Sequence, residues 1–379
     1  MATDKPRIIY LGHYSNSFKR PAFLTAVNLM NYVIEALNES CGKIEVLSPC
    51  GKGTGEKTPR EVSKINENTT LTYLASEKKS GSKSPIIKLI EKSKREKTLF
   101  CELDELINEG DTVIVYHSLA FIDVLKKLRK KKKFKLVLQV CEIYADVTEN
   151  KKIRKKEIDF ISEADSYIFS STVLEKELNR DKPYAICMGT YRSEPVLSTP
   201  KNDKIHLVYA GTFNPKKGGV LNAIECASYL DERYHLHLLG KGNDQVTSLV
   251  TMKSILASEK SGCTITQDGY FAGDEYKKVL QSFHIGISTQ NVNDPFSKTS
   301  FPSKILSYLA NGLRVVSGGV LPVVNSSLKD YLSIYEADMP EAIAQAIKEV
   351  DLNAPYNSRG LIDDLNNDFV KSLKALLSA

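Results

Sequence analysis

The chain has 379 residues, 42% of them hydrophobic, and its net charge of +6 is modest; this composition excludes disordered and fibrous proteins. At roughly 100–200 residues per domain, the length predicts two domains. No apolar run approaches the roughly 18–20 residues that span a bilayer, and the first residues show no signal-peptide pattern, so we expect a cytoplasmic protein.

Short apolar runs alternate with amphipathic segments through the first half of the chain, which predicts a parallel α/β domain. The loop between the first strand and the first helix, residues 12–23, is polar and contains His13, Ser15, Asn16 and Arg20. The glycine-rich segment 51–57 fits neither a dinucleotide-binding nor a P-loop spacing, so we predict a loop there. The predicted strands cover residues 7–12, 43–48, 71–75, 111–117, 135–141, 166–171 and 184–189.

The excess positive charge lies entirely in this first half. Residues 1–195 hold 34 basic and 27 acidic side chains, and the run Lys126–Lys135 alone has eight basic residues in ten positions. The run is either a solvated helix end or a surface that holds the protein beside an anionic membrane, where each Lys or Arg contributes about 1 kcal/mol. Only Phe134 interrupts it as an aromatic residue, so a nucleic-acid partner is not expected.

A polar, proline-containing linker after Gly189 precedes a second α/β series. We therefore predict domains over residues 1–195 and 196–355, followed by a last helix, within 356–379, that returns to the first domain. Ligands of doubly wound sheets bind beyond the carboxyl ends of the strands, so the site is expected in a cleft between the domains. The predicted strands of the second series cover residues 206–211, 235–240, 264–269, 285–289 and 313–319.

Two glycine-bearing strand ends in the second domain are candidates for binding phosphate. Gly211 follows a strand, and Lys217 lies at the start of the next helix, where its charge is favourable only beside an anion. Gly240 and Lys241 occupy the corresponding place after the following strand. Each segment is equally well explained as an ordinary turn with solvated lysines.

A third candidate is the segment FPSKILSYLANG. Pro302 suits the first turn of a helix, and Ser300 or Ser303 can cap it. Lys304 would lie in that first turn, where free backbone N–H groups can bind phosphate. The alternative is a well-capped helix with one solvated lysine. Three such helix starts in one domain favour a diphosphate ligand.

The segments VYAGTFNPKKGGVLNAIECA, LHLLGKGND, GYFAGDEYKKVLQS and FPSKILSYLANGLRVV resemble, in order and spacing, the nucleotide-sugar glycosyltransferases of the GT-B fold. They most resemble the large retaining group called family 4, and the resemblance is specific over residues 205–320. It is weaker over the first domain, through VYHS, CEIYADV and EADSYIFSS. The resemblance implies two Rossmann-like domains, a sugar nucleotide as donor and no required metal or other cofactor.

The family pattern implies individual roles. Lys217 corresponds to the lysine that contacts the donor diphosphate, and Gly269 and Tyr270 to the segment beside the nucleobase. His117 corresponds to a histidine near the transferred sugar. The donor site implied by the resemblance and by the helix starts comprises Gly211, Thr212, Lys217, Gly240, Lys241, Gly269, Tyr270, Phe301, Pro302, Ser303, Lys304 and Ser307.

The sequence departs from the family pattern at three positions. Thr212 replaces the usual arginine of the first motif, and Thr299 and Ser307 stand where the family has two glutamates. A subgroup with the pattern P-x-K-x-x-x-Y, matched here by Pro302, Lys304 and Tyr308, tolerates these losses. Ser307 can still form a hydrogen bond to a ribose hydroxyl, and Lys304 can replace the missing arginine charge.

The resemblance implies a retaining transfer, and we predict that it needs no metal, since the sequence has no Asp-x-Asp motif and no evident cluster of His and Asp ligands. His117 and Glu142 are the predicted catalytic residues, although His117 could instead cap a strand and Glu142 could pair with a lysine. UDP-sugar is the favoured donor. A glycan or lipid-linked saccharide, as in bacterial surface polysaccharide synthesis, is the expected acceptor, bound by His13, Ser15, Asn16 and Arg20.

Two other classes remain open at this point. The lost arginine and glutamates are also compatible with a regulatory or catalytically weak relative that binds a sugar nucleotide without transfer. A sugar-nucleotide epimerase of the same fold is the other alternative.

Overall fold

A computed structural model describes residues 6–17, 19–20, 22–52, 55–78, 80–147, 151–214, 219–290 and 295–378. The chain divides into two compact units. Unit 1 comprises Met1–Ser170, Leu174–Thr190 and Asp368–Ala379, and unit 2 comprises Ser171–Val173 and Tyr191–Asn367. Each unit is built on its own sheet, with helices between successive strands.

The sheet of unit 1 has eight strands in the order β3-β4-β2-β1-β5-β6-β7-β8. All neighbours are parallel except the edge pair β3 and β4. The strands are β1 (Ile8–Leu11), β2 (Ile44–Ser48), β3 (Glu61–Asn66), β4 (Thr69–Tyr73), β5 (Thr112–Tyr116), β6 (Lys135–Val140), β7 (Ser166–Phe169) and β8 (Tyr184–Ile186). The helices are α1 (Leu24–Cys41), α2 (Pro85–Leu106), α3 (Ile122–Lys131), α4 (Tyr144–Val147), α5 (Lys151–Ile161) and α6 (Thr172–Leu178).

The sheet of unit 2 has six parallel strands in the order β11-β10-β9-β12-β13-β14. The strands are β9 (Ile205–Ala210), β10 (Tyr234–Leu239), β11 (Thr264–Gly269), β12 (Ile285–Ser288), β13 (Arg314–Gly318) and β14 (Leu332–Tyr335). The helices are α7 (Gly219–Ala227), α8 (Asp244–Ser261), α9 (Gly273–Leu280), α10 (Ser303–Ala310), α11 (Leu321–Val324) and α12 (Pro340–Lys348).

Both sheets are covered on their two faces, and this explains the continuous apolar runs in the sequence. The central strands β1 and β5 are buried at nearly every position, as expected for parallel strands between two helical layers. In unit 1 the strand order reverses between β1 and β5, and in unit 2 between β9 and β12. The carboxyl ends of these strands are therefore where a doubly wound sheet binds ligands.

The predicted class of two doubly wound, Rossmann-like domains is confirmed. Every predicted strand is present, with ends shifted by a few residues at most. Strands β3 and β14 and helix α2 were not predicted. The last helix, α13 (Ser358–Ser378), groups with unit 2 up to Asn367 and with unit 1 from Asp368. None of the helices among the described residues is both long and apolar enough to cross a membrane.

Candidate functional site

Two glycines bring the backbone of neighbouring strand ends together in unit 2. Gly211 follows β9 and Gly240 follows β10, with φ of +156° and +146°. A Cβ atom on Gly240 would lie 1.9 Å from the carbonyl oxygen of Gly211, so only glycine fits there. A Cβ atom on Gly211 would lie 2.8 Å from Nζ of Lys304. Gly211 is thus a point of close approach for the Gly240 backbone and the Lys304 side chain, and its role toward a ligand stays a prediction.

Lys304 lies beside this strand end. Its Nζ atom is 3.7 Å from the centre of the Tyr209 ring, a cation–π contact that holds the ammonium group over the carboxyl end of β9. Burial raises the pKa of Tyr209 to about 12, so the phenol is neutral and the ammonium group meets the ring face without a phenolate charge. The charge of Lys304 is thereby fixed in position next to the backbone of Gly211.

Helix α10 begins differently from the prediction. Its N-cap residue is Pro302, which makes no side-chain capping bond, so the expectation that Ser300 or Ser303 occupies the cap is wrong. Pro302 cannot cap because it has no polar side chain, and it precedes the first helical residue instead of occupying it. Phe301 and Pro302 are buried, whereas Ser303 is exposed. The N-cap residue thus offers no side-chain acceptor to the positive end of the α10 dipole.

Tyr308 fixes α10 against the sheet. Its ring packs on Gly286 of β12, where a Cβ atom would lie 2.3 Å from the ring, and its side chain is fully buried. The backbone N–H of Ala210 donates to its hydroxyl oxygen at 2.9 Å. Since Tyr308 follows Lys304 by one helical turn, the lysine, proline and tyrosine of the P-x-K-x-x-x-Y pattern act together to orient the helix start.

Those of the remaining predicted donor residues that the structure describes in this part of unit 2 lie at the same edge of the sheet. Lys241 is 4.9 Å from the centre of the Tyr270 ring, and that ring is 60% exposed just after Gly269, the last residue of β11. Thr212 is exposed after Gly211. Lys217 lies outside the described residues. Gly269 has a φ of +90°, and a Cβ atom there would meet no described atom within 4 Å, so its strand end is open.

Ser307 and Thr299, the two positions where the resembled pattern has glutamates, have partners within unit 2. The Tyr276 hydroxyl on α9 is hydrogen-bonded to Ser307; burial raises the pKa of Tyr276, and this hydrogen bond lowers it by a smaller amount. The backbone carbonyl of Thr299 accepts a hydrogen bond from Ser171 Oγ at 2.9 Å. Ser307 is therefore a polar position beside Lys304, with a hydroxyl in place of a carboxylate.

In unit 1, His117 follows β5 and is almost fully buried, with 1% of its surface exposed. Its Nε2 atom is 2.7 Å from Oε1 of Glu157, a residue of α5 that was not predicted from the sequence. Glu157 also accepts hydrogen bonds from the backbone N–H groups of Tyr144 and Ala145, at 2.9 and 2.8 Å. The Nδ1 atom of His117 has no hydrogen-bond partner among the described residues.

This arrangement determines which nitrogen of His117 carries the proton. A carboxylate only accepts, so Nε2–H donates to Glu157, and in the neutral ring Nδ1 keeps a lone pair. A buried acceptor without a partner costs free energy unless a ligand supplies the hydrogen bond. His117 is thus prepared to accept a hydrogen bond from a hydroxyl group.

Glu142, the other predicted catalytic residue, is half-buried immediately after β6 and Cys141. Burial, together with a smaller contribution from the Glu142 carboxylate, raises the pKa of the Cys141 thiol to about 12. The thiol stays protonated at neutral pH and is unsuited to act as a nucleophile.

The four predicted acceptor residues have different environments. His13 is exposed and stacks on Phe121, and the hydroxyl of Ser15 donates to the carbonyl of Ser17. The hydroxyl of Tyr73 donates to the Asn16 side chain at 2.8 Å. Arg20 is buried; it donates to Glu61 and to the carbonyl of Cys50, each at 2.7 Å, and stacks on Tyr73. These contacts show that Arg20 stabilises the loop over residues 12–23 from within the protein.

Half of the basic residues in the run Lys126–Lys135 are paired with carboxylates. Lys126 contacts Glu163 at 2.6 Å, Arg129 contacts Asp165 at 2.8 Å, and Lys131 contacts Asp104 at 2.5 Å. Lys132 also contacts Asp104, and Lys135 donates to the carbonyl of Leu376. Four of the eight basic residues therefore have part of their charge compensated by three carboxylates, and the run contributes less net positive charge than its sequence indicates.

Comparisons with solved structures support the fold. An E. coli trehalose-6-phosphate protein bound with UDP-2-fluoro glucose is 11% identical, with 98% of each chain covered and a TM-score of 0.68. A UDP-forming trehalose-phosphate synthase from Burkholderia xenovorans in complex with glucose-6-phosphate is 11% identical, with 98% of each chain covered and a TM-score of 0.63. Sucrose-phosphate synthase from Thermosynechococcus elongatus is 14% identical, covering 98% of this chain and 95% of that one, with a TM-score of 0.60.

At these identities the likeness shows the GT-B fold alone. No protein-family model and no curated protein matches the sequence.

Proposed function

We propose that this protein is a glycosyltransferase that moves a sugar from a nucleoside-diphosphate sugar to a hydroxyl acceptor. The observation that carries the proposal is the cluster of Lys304, Gly211 and the uncapped start of α10 at the carboxyl end of β9. A fixed ammonium group, an open backbone and a helix start whose N-cap residue offers no side-chain acceptor are three features that bind a diphosphate together.

The chemistry of glycosyl transfer suits this cluster. Cleavage of the sugar–phosphate bond leaves negative charge on the diphosphate, and a donor aimed at such developing charge is worth about 3–4 kcal/mol. Lys304 and the backbone N–H groups of α10 supply this stabilisation without needing a metal ion. Lys217, outside the described residues, is the predicted second cation.

UDP-sugar is the donor we favour. The exposed ring of Tyr270 beside Gly269 offers a stacking surface for a base, and Ser307 offers a hydroxyl for the ribose. Two solved structures of the same fold support this preference, since one is bound with UDP-2-fluoro glucose and the other is a UDP-forming synthase.

For the transferred sugar we propose His117 as the hydrogen-bond acceptor, through its Nδ1 atom, with Glu157 as the positioning residue. Glu142 remains the proposed contact to the acceptor hydroxyl. His13, Ser15 and Asn16 would bind the acceptor directly, and the buried Arg20 would act by ordering their loop. We propose retention of the anomeric configuration, with the leaving phosphate taking the acceptor proton.

A glycan or lipid-linked saccharide, as in surface polysaccharide synthesis, is the acceptor we propose. Ile86, Ile87, Leu89 and Ile90 in the first turns of α2 are exposed, by 71% at Ile86 and 69% at Leu89. Basic residues flank them on the same helix, and this combination is typical of helices that lie on anionic membranes. We therefore assign the proposed membrane contact to α2 and its lysines in addition to the partly paired run Lys126–Lys135.

A second acceptor class is a sugar phosphate, because one structure of the same fold is in complex with glucose-6-phosphate. The experiment screens UDP-, GDP-, ADP- and TDP-glucose by thermal shift and then follows release of the nucleoside diphosphate with each acceptor class. Stabilisation by one donor with turnover supports the proposal. Stabilisation without any hydrolysis or transfer would favour the regulatory relative, and no stabilisation by any donor would refute donor binding.

A further inference from the structure

Four of the six histidines in the chain lie together in unit 2, in the amino-terminal and middle parts of strands whose carboxyl ends carry the candidate donor site. His206 is the second residue of β9, and His235 and His237 are the second and fourth residues of β10. The ring of His284, just before β12, stacks on that of His206 with 5.8 Å between centres. At about 3.3 Å per residue, His206 is roughly 16 Å along its strand from Gly211.

The strand register explains why three of these rings meet. His206 and His235 are directly paired across β9 and β10, and His237 lies two residues further on the same face. Ligand atoms of His206, His235 and His237 all lie within 4.8 Å of one another. A His-x-His pair on one strand and a third histidine on its neighbour thus converge on one point.

Two carboxylates fix the tautomers of the two central rings. Asp268 Oδ2 is 2.9 Å from Nδ1 of His237, and Asp203 Oδ1 is 2.9 Å from Nε2 of His206. Because carboxylates accept and do not donate, each ring carries its proton on the nitrogen that faces its aspartate. The other nitrogens, Nδ1 of His206 and Nε2 of His237, then both have lone pairs.

These two nitrogens face each other at 2.9 Å. Two lone pairs at this distance repel, so the arrangement requires a cation between or beside them. Two kinds of cation can occupy this position between imidazole rings. One is a shared proton, which leaves one ring charged, and the other is a metal ion. The third histidine favours the metal ion. A shared proton needs only two nitrogens, whereas a metal ion needs three or four ligands.

We propose that His206, His235 and His237 bind a divalent transition metal ion, with Zn²⁺ as the best match to three imidazole ligands. Asp203 and Asp268 act as the outer carboxylates that orient ligating histidines. Imidazole nitrogens disfavour Mg²⁺ and Ca²⁺, which take oxygen ligands. Three protein ligands leave the fourth position for water, and His235 and His237 are half-buried, so solvent reaches the site.

The ion would join β9 to β10 and, through Asp268, to β11. Tetrahedral zinc with Zn–N distances of about 2.0–2.1 Å separates its nitrogens by about 3.3–3.4 Å, so binding would move the two facing rings apart by about half an ångström. The site lies outside the residues assigned to donor and acceptor. It is independent of the proposed function.

The test uses the full chain after treatment with a chelator and titrates it with ZnCl₂ by calorimetry. We expect one Zn²⁺ per chain, and Co²⁺ in its place should give the visible absorption of a tetrahedral site. His237→Gln and His235→Gln remove ligands at partly exposed positions and should each weaken binding by more than about tenfold. Asp268→Asn, which removes an outer carboxylate, should weaken it by about 10–100-fold.

His13→Gln removes an exposed histidine of unit 1 and serves as the matched control, with circular dichroism to verify the fold of each variant. Unchanged affinity in this control is expected. Absence of stoichiometric binding in the stripped wild-type protein would overturn the proposal. Equal Zn²⁺ binding by the wild type and His237→Gln would also overturn it. Imidazole ¹⁵N chemical shifts that show a shared proton and do not respond to Zn²⁺ would do the same.

Discussion

Lys304 depends on three residues for its position. Tyr209 of β9 provides the ring under its ammonium group, Gly211 leaves the space beside it, and Tyr308 anchors the helix one turn later. The charge is held where a helix start adds its own positive potential, which is favourable only if an anion binds there.

Lys304→Met is therefore the most direct test of the diphosphate site. Methionine keeps an apolar stem over Tyr209 but removes the charge, so kcat should fall by about 10²–10³-fold, the usual effect of one such donor. Stabilisation by UDP in thermal shift should also be lost. Lys329→Met, an exposed lysine of the same unit, is the control; equal kinetics in the two variants would contradict the assignment.

Glu157 is the second residue whose substitution is informative. Its carboxylate accepts from His117 and from two backbone N–H groups, and a glutamine amide would direct two donors of its own toward these donors. Glu157→Gln should lower the free energy of unfolding by about 1–3 kcal/mol, measured with urea. The loss should be smaller in a His117→Ala background, because one of the three donors is then absent.

Glu163→Gln is the comparison for this prediction. Glu163 is exposed and pairs with Lys126 at the surface, so its loss should cost less than about 1 kcal/mol. Identical costs for Glu157 and Glu163, or full additivity with His117→Ala, would show that the buried hydrogen bonds do not control the stability of this region.

These residues differ in how far the sequence could reveal them. Lys304 and Gly211 were predicted because their partners lie at strand ends and helix starts that local patterns mark. Glu157 looked like one charge on an amphipathic helix, since its contact with His117 spans 40 residues. The cluster of His206, His235 and His237 was missed for the same reason; only the pairing of β9 with β10 brings its members together. No local pattern encodes such a register.

Among the elements, the strands in the buried middle of each sheet were predictable because they are continuous apolar runs. Edge strands β3 and β14 were missed. β3 has exposed or half-buried residues at every position, so its sequence lacks an apolar run. Helix α2 was missed because a single residue, Leu103, is buried among its described positions, and a helix with so little apolar periodicity gives a weak signal.

The exposed start of α2 leads to a prediction for membrane binding. Wild-type protein should sediment with anionic vesicles at low salt, and the double variant Ile86→Glu and Leu89→Glu should lose at least about tenfold in affinity, since each apolar side chain is worth roughly 1.5–3 kcal/mol when buried. Substituting Lys127, Lys130 and Lys133 with glutamine should have a smaller effect. Absence of sedimentation of the wild type would refute the membrane contact. A larger loss of affinity in the lysine variant than in the α2 double variant would place the contact at the run Lys126–Lys135.

The chain as a whole consists of two units with separate sheets, and the last helix contributes to both. In unit 2, Arg359 donates to the carbonyls of Glu194 and Asn311, at 2.9 and 2.7 Å. In unit 1, Phe369 stacks on Tyr32, and the carbonyl of Val370 accepts from Ser40. The sequence predicted this helix from its amphipathic pattern, but which of its turns belongs to which core follows only from packing.

Leu373→Ala should therefore destabilise one unit selectively. Leu373 is fully buried in the part of α13 that groups with unit 1, and truncating a buried leucine costs about 2–5 kcal/mol. Hydrogen exchange should accelerate in β1, α1 and the other core elements of unit 1, while β9 and β10 keep their protection. Lys371→Ala, exposed on the same helix, should leave exchange unchanged. Equal acceleration of hydrogen exchange in both units would mean that they unfold as one cooperative body. The two parts of α13 could then not be assigned to separately stable cores.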